Sequence, residues 1–270
     1  MKTIDELNLI DWPLTVFGRD TESKSISFRE YTILLRSKIN HRQISGNLKI
    51  HSILVNNNSI LEFYDEDVLL GLMQLMVAEY NNTNMVIIHN ITAFCNSIGW
   101  SKGKYSNDKV IAAISRLTGL MFETDVWWYN EERRYITKGF HIIETYELRY
   151  SKTGKLSNIK VTWSNTMLGS LKSQNVRPLD FNKYLSLKLS GARKLYRVLD
   201  KRLYIKETGY IPFEYLSRVI FGISHTKTSA YCEKIIRKYA DELILNKFLM
   251  KYKIEEYKGI NSFIFRRPPT

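Results

Sequence analysis

Cysteine is scarce in this sequence. Of 270 residues only Cys95 and Cys232 are cysteines, and neither has a second cysteine or a histidine at metal-ligand spacing. A disulfide framework is therefore not expected, and two reduced core thiols are. Long apolar runs are missing too: none reaches the ~18 residues that a membrane span needs. The opening, Met1-Lys2-Thr3-Ile4-Asp5-Glu6, is acidic and polar with no signal-peptide core behind it. These absences predict a cytoplasmic protein with no membrane partner. The five histidines, His41, His51, His89, His141 and His225, make no His-x-His and no His-x-x-x-His pair. A metal-dependent nicking site beside a nucleophilic tyrosine would want such a pair. Neither Gly-x-x-x-x-Gly-Lys-Ser/Thr nor Gly-x-Gly-x-x-Gly occurs. No catalytic residue, metal site or cofactor is expected, and an enzyme is not the leading reading. The one dense acidic cluster, Asp65-Glu66-Asp67, reads more simply as helix capping than as a metal site.

What is present is a globular composition, 44% hydrophobic and 25% charged, in a chain long enough for two domains. The net charge of +13 is unevenly placed. Residues 1–150 hold 16 lysines and arginines against 18 acids, and residues 151–270 hold 24 against 9. A polyanion, nucleic acid first, is the natural partner of the basic half.

Along the chain, residues 1–25 read as irregular, anchored by Leu9, Trp12, Leu14 and Phe17. Short alternating stretches follow from Ser25 to Val55, with a polar joint at Asn56-Asn57-Asn58. Asp65 reads as the N-cap of an apolar helix. His89 to Phe122 reads helix, turn, helix: Asn90 caps Ile91–Ile98, Gly99 ends it, and Ser106 or Asn107 caps a second helix through Leu117. Period-two stretches Phe122–Tyr129, Arg134–Ile143 and Tyr146–Tyr150 then predict a strand meander, with Asn130–Arg133 as its charged joint. The polar stretch Ser151–Asn158, where the charge balance flips, is taken as the domain junction.

The second half repeats the order. Leu189–Tyr204 is an amphipathic helix, with Leu195, Leu199 and Leu203 inside and Arg193, Lys194, Arg197, Lys201 and Arg202 outside. A short strand Tyr210–Pro212, a helix Phe213–Phe221 and a turn Ser224–Lys227 lead to a long helix, Thr226–Phe248. Tyr252–Tyr257 and Ser262–Arg267 pair across 258–261. Helix, helix, ribbon in both halves predicts an α+β fold of two tandem winged helix-turn-helix domains, 1–155 and 156–270.

A reading helix presents its N-terminal residues to base edges, so short polar and basic side chains are wanted there. In the second domain these are Thr226, Lys227, Thr228, Tyr231, Lys234 and Lys238, with Lys251, Lys253, Lys258, Arg266 and Arg267 on the wing. In the first they are Lys102, Lys104, Ser106, Asn107, Lys109 and Arg116, with Arg133 and Arg134 on the wing. Trp127-Trp128-Tyr129 reads as packing rather than as a base-stacking platform. Gly191, Ala192 and Ala230 read as sites of close helix approach.

Several stretches together resemble the plasmid replication initiator A family. They are Asp11-Trp12-Pro13-Leu14, Tyr64-Asp65-Glu66-Asp67-Val68-Leu69-Leu70, Ile98-Gly99-Trp100-Ser101, Ile114-Ser115-Arg116-Leu117-Thr118-Gly119, and Trp127-Trp128. Trp163-Ser164-Asn165-Thr166-Met167-Leu168-Gly169-Ser170-Leu171 is the most specific, followed by Leu179-Asp180, Tyr184-Leu185-Ser186-Leu187 and the run from Ala192 to Arg202. The resemblance implies tandem winged helices, the C-terminal one gripping double-stranded origin DNA at repeats or operators. It further implies duplex opening, host helicase-loading partners, repression of its own promoter, and a homodimer off DNA. A transcriptional regulator on the same scaffold, a nicking enzyme and an assembly module stay open as alternatives.

Overall fold

The chain begins with strand β1 (Lys2–Glu6), a 3-10 turn at Leu9–Asp11, and strands β2 (Phe28–Arg36) and β3 (Gln43–Ser52). Helix α1 (Phe63–Ala78), strand β4 (Met85–Ile88) and helices α2 (Ile91–Ser97) and α3 (Lys104–Gly119) follow. Strands β5 (Leu120–Tyr129), β6 (Arg134–His141), β7 (Ile143–Tyr150) and β8 (Leu156–Trp163) come next. A bridging segment holds α4 (Asn165–Lys172), β9 (Val176–Asp180) and α5 (Phe181–Ser186). The second half then runs α6 (Ser190–Arg202), β10 (Thr208–Pro212), a π-helical turn Tyr215–Ile220, α7 (Ser229–Leu245), β11 (Lys251–Tyr257) and β12 (Ile260–Arg266). This computed structural model describes residues 2–12, 28–36, 43–52, 63–78, 83–204 and 206–269. The expected anchors Leu14 and Phe17, the alternating residues 25–27 and the joint Asn56–Asn58 lie outside the described residues.

The topology repeats as the element order does. β4 pairs with β8, which pairs with β7; in the second half β10 pairs with β12, which pairs with β11, all antiparallel. Each half is thus a helix, a strand, two further helices and a hairpin that returns to that strand, in a mixed helix-and-sheet fold. Local chemistry sets the helix starts: Asn90, Ser164, Asp180 and Thr228 each accept the backbone N–H three residues on, at 3.0–3.3 Å. Gly191 of α6 is required by packing, because a Cβ there would stand 2.1 Å from the Tyr239 ring of α7.

Several expectations are corrected. The opening residues are not irregular: β1 pairs with β9, Lys2 opposite Asp180 through Glu6 opposite Val176, and so fastens to the bridging segment. The meander is two sheets. β5 and β6 join β2 and β3 in the order β2-β3-β5-β6, while β7 leaves for β4 and β8, with only Ile142 between β6 and β7. Residues 151–155 are the turn of the β7–β8 hairpin, so a division at 155/156 falls between paired strands. Helix α1 begins at Phe63, so Asp65 lies in its first turn rather than at its cap, and α3 begins at Lys104, ahead of Ser106 and Asn107. The packing expected of Trp127-Trp128 is found, and for both rings, because the register shifts between Thr124 and Trp127. Trp127 packs with Trp12 and Phe140 at 5.7 and 4.6 Å, and Trp128 packs on Tyr135 at 5.1 Å.

One continuous apolar cluster runs from Leu9 to Phe265 and includes both halves. Cys95 and Cys232 are free and buried. No helix among the described residues is long and apolar enough to cross a membrane.

Candidate nucleic-acid interface

Helix α7 starts at Ser229 because Thr228 caps it, its Oγ1 accepting from Tyr231 N at 3.2 Å. The turn before it is held from outside the helix. Arg218 donates to the carbonyls of Ser224 and Lys227 at 2.6 and 2.9 Å, and pairs with Glu214 at 3.2 Å. One planar guanidinium thus fixes where the helix begins. Sequence reasoning missed Arg218; the available signal was a lone cation one turn before a polar turn. Cys232, Ile236, Tyr239, Ala240 and Leu243 face the core, which leaves Tyr231, Lys234 and Lys238 in one exposed stripe with Thr226 and Lys227 at its base. Lys227 Nζ lies 5.8 Å from the Tyr231 ring centre. Lys258 takes a left-handed φ of 54° at the hairpin turn and is exposed. Lys251 and Lys253 lie on the outer face of the edge strand β11, Lys253 paired with Glu255 at 2.6 Å. Arg266 is near Glu207 at 3.7 Å, and Arg267 is half-buried. The second-half residues thus fall on one helix with its preceding turn and on one hairpin, Lys251 and Arg266 opposite each other at its base and Lys258 at its turn.

The first half gathers fewer of its expected contacts. Lys102 and Lys104 are exposed at the start of α3, and Lys109 is held between the Tyr64 and Tyr105 rings at 4.8 and 4.5 Å. Ser106 is buried, and Asn107 Oδ1 lies 3.7 Å from Cys95 Sγ. Arg116 is a correction: only 4% exposed, it grips Asp65 through Nε and Nη2 at 2.8 and 2.7 Å and also reaches the Tyr64 hydroxyl at 3.0 Å. A guanidinium so enclosed cannot reach DNA. Arg133 and Arg134 belong to the β5–β6 turn, whose Asn130 donates to Ser173 O at 2.6 Å, and not to the hairpin that returns to β4. The exposed cations of that hairpin's turn are Lys152 and Lys155, which sequence reasoning left out. Their signal was Lys-Thr-Gly-Lys between alternating strands, a hairpin turn mistaken for a linker.

The acidic triplet at the start of α1 joins the two halves. Asp65 holds Arg116 of α3, and Asp67 takes Arg193 Nη1 at 2.7 Å, the Tyr184 hydroxyl at 2.7 Å and Trp100 Nε1 at 3.0 Å. Glu66 lies between Lys194, at 2.9 Å, and Arg197. Arg197 also bonds both oxygens of Asp5 at 2.7 Å, and Lys194 donates to Trp12 O at 2.9 Å. Lys194 and Arg197, expected outside, are fully buried, while Leu195, Leu199 and Leu203 are inside as expected. Burial alone would raise the Glu66 carboxyl, but the Lys194 ammonium and the Arg197 guanidinium hold it below the usual carboxylate range. Burial pushes the Asp67 carboxyl up, and it pushes the Lys194 ammonium down. Because α6 opens the second half and α3 belongs to the first, one turn of α1 ties both units to a common frame.

No curated protein matches the sequence. The fold is similar to a crystal structure of domains 2 and 3 of RctB, with a TM-score of 0.61 and 13% identity over 95% of this chain and 96% of that one. A second structure of RctB domains 2–3 covers 96% of each chain with a TM-score of 0.53 and 14% identity. These likenesses are of fold. The sequence matches the family model for replication initiator protein A over residues 24–215. The chain belongs to the replication initiator protein A family.

Proposed function

We propose that the protein is a non-catalytic initiator of plasmid replication, built on two winged helix-turn-helix units, that binds double-stranded origin DNA. We put the divide between the units after Trp163, the last residue of β8. Helix α7 enters the major groove, and the hairpin turns at 151–155 and 258–259 lie along the flanking backbone. The observation that carries this reading is the α7 stripe: Tyr231, Lys234 and Lys238 exposed in a row, neither lysine with an acidic partner among the described residues. It stands beside a turn locked by Arg218 and in the half that holds the basic excess. Family membership supports the role in initiation. Origin opening, recruitment of helicase-loading proteins, repression of its own promoter and a homodimer off DNA belong to the same reading and rest on family membership.

The test is maintenance of the replicon. A plasmid carrying the cognate origin but lacking this reading frame should persist only where the protein is supplied in trans, and a Lys234→Ala, Lys238→Ala double variant should not support it. Persistence without the protein would leave a transcriptional regulator as the better reading.

A further inference from the structure

The exposed face of α7 is one wall of an open groove of about 1010 Å³. The other wall is the chain at Ser186–Leu189, which precedes α6 and lies outside the helix-turn-helix. Glu242 of α7 holds the walls at this separation. Its carboxylate accepts from Lys188 N and from Leu189 N, the latter at 3.1 and 3.3 Å. Those N–H groups stand at the start of α6, so the carboxylate occupies the positive end of that helix.

The charges along the groove divide by whether they already have partners. Glu233 is paired with Arg237 at 2.6 Å, and Asp241 accepts the Tyr252 hydroxyl at 2.8 Å. Glu242 is engaged by the backbone. The side chains of Lys188, Lys234 and Lys238 have no ion pair or hydrogen bond among the described residues. Four bases against three acids leave the groove with a net charge of plus one, and its three lysines are the cations without an ion pair. Lys234 and Lys238 stand one turn apart, about 6 Å along the axis, roughly two base-pair steps of DNA.

We infer that this groove seats a sugar–phosphate strand of DNA and that Lys188 is a phosphate contact outside the helix-turn-helix. The inference rests on α7 as the reading helix. A duplex that takes α7 into its major groove brings its flanking backbone against the walls beside that helix. With the start of α6 already filled by Glu242, side-chain cations rather than backbone N–H groups receive the phosphate. The free lysines on both walls match a polyanion that passes between them.

The test uses three probes: a duplex from the protein's own replicon, a mixed-sequence duplex and polyglutamate, each titrated by fluorescence anisotropy at a series of salt concentrations. Lys188→Ala should weaken binding to both duplexes by a common factor. It should also lower the slope of log K against log salt by about 0.9. Lys188→Arg should restore the slope, and neither variant should shift the thermal melt, because Lys188 is exposed. An unchanged slope in Lys188→Ala, while Lys234→Ala and Lys238→Ala lower it, overturns the groove assignment and leaves α7 as the reading helix. Weakened binding to polyglutamate with DNA binding intact overturns it in favour of an acidic peptide. A wild-type protein with no salt-dependent duplex binding overturns both the groove and the reading of α7.

Discussion

Replacing Glu66 with methionine removes the carboxylate that lies between Lys194 and Arg197 while nearly keeping its volume. Arg197 keeps both oxygens of Asp5, but Lys194 keeps, among the described residues, only the Trp12 carbonyl as a hydrogen-bond acceptor. An ammonium fully enclosed with one neutral acceptor is the costly product of breaking a buried pair, about 3–5 kcal/mol. For a chain of this size about 2–4 °C of melting temperature accompanies each kcal/mol, so Tm should fall by roughly 6–20 °C. The double variant Glu66→Met, Lys194→Met removes both charges and leaves the Asp5–Arg197 pair whole. It should recover most of the loss, because no uncompensated charge remains. The assay is urea unfolding of wild type, both single variants and the double variant as a thermodynamic cycle. A Glu66→Met cost below about 1 kcal/mol, or a coupling below about 0.5 kcal/mol, would refute the argument that this carboxylate binds the two halves together.

Arg116→Ala should lower stability by a similar amount, about 3–5 kcal/mol, yet leave the salt slope of DNA binding unchanged in the folded protein; a lowered slope would restore it as a DNA contact. Glu6 tests pH dependence: burial pushes its carboxyl up from 4.5 to about 7, against donors at Leu9, Ser170 and Asn175. The folded state then holds a proton that the unfolded state has released, so stability should fall as pH rises from about 4.5 to about 7, by roughly 3 kcal/mol in all. Urea midpoints across that range should show this slope in wild type and lose it in Glu6→Gln. Gly191→Ala should destabilise by about 1–3 kcal/mol, despite the better helix propensity of alanine, because its Cβ meets the Tyr239 ring at 2.1 Å; a raised Tm would mean that α6 and α7 can separate freely.

The second half was legible in the sequence nearly element by element. Its helices carry an apolar period of 3.6, Thr228 marks a start, and Lys258-Gly259 marks a tight turn, so each local signal agrees with the topology. The first half misled because strands adjacent in sequence usually pair, and β5 through β7 look like one meander. The change of sheet at Ile142 takes a single residue and leaves no mark in composition. Residues 151–155 read as a linker because a hairpin turn and a linker share polar and glycine residues. The buried ions were hidden for a different reason. Polarity predicts exposure for Arg116, Lys194 and Arg197 one at a time. Only the fold brings three consecutive acids at 65–67 against cations from two distant helices. The α7 stripe was readable because the apolar period of the helix leaves one polar face over.

The proposed role requires that this chain recognise the origin of its own replicon through its second unit. A nuclease footprint of the purified protein on the complete replicon, at two salt concentrations and with competitor DNA, tests it most directly. Salt-sensitive protection of spaced repeats beside an AT-rich segment is expected, lost in the Lys234→Ala, Lys238→Ala variant. Protection confined to a promoter operator, or protection that survives that variant unchanged, would contradict it.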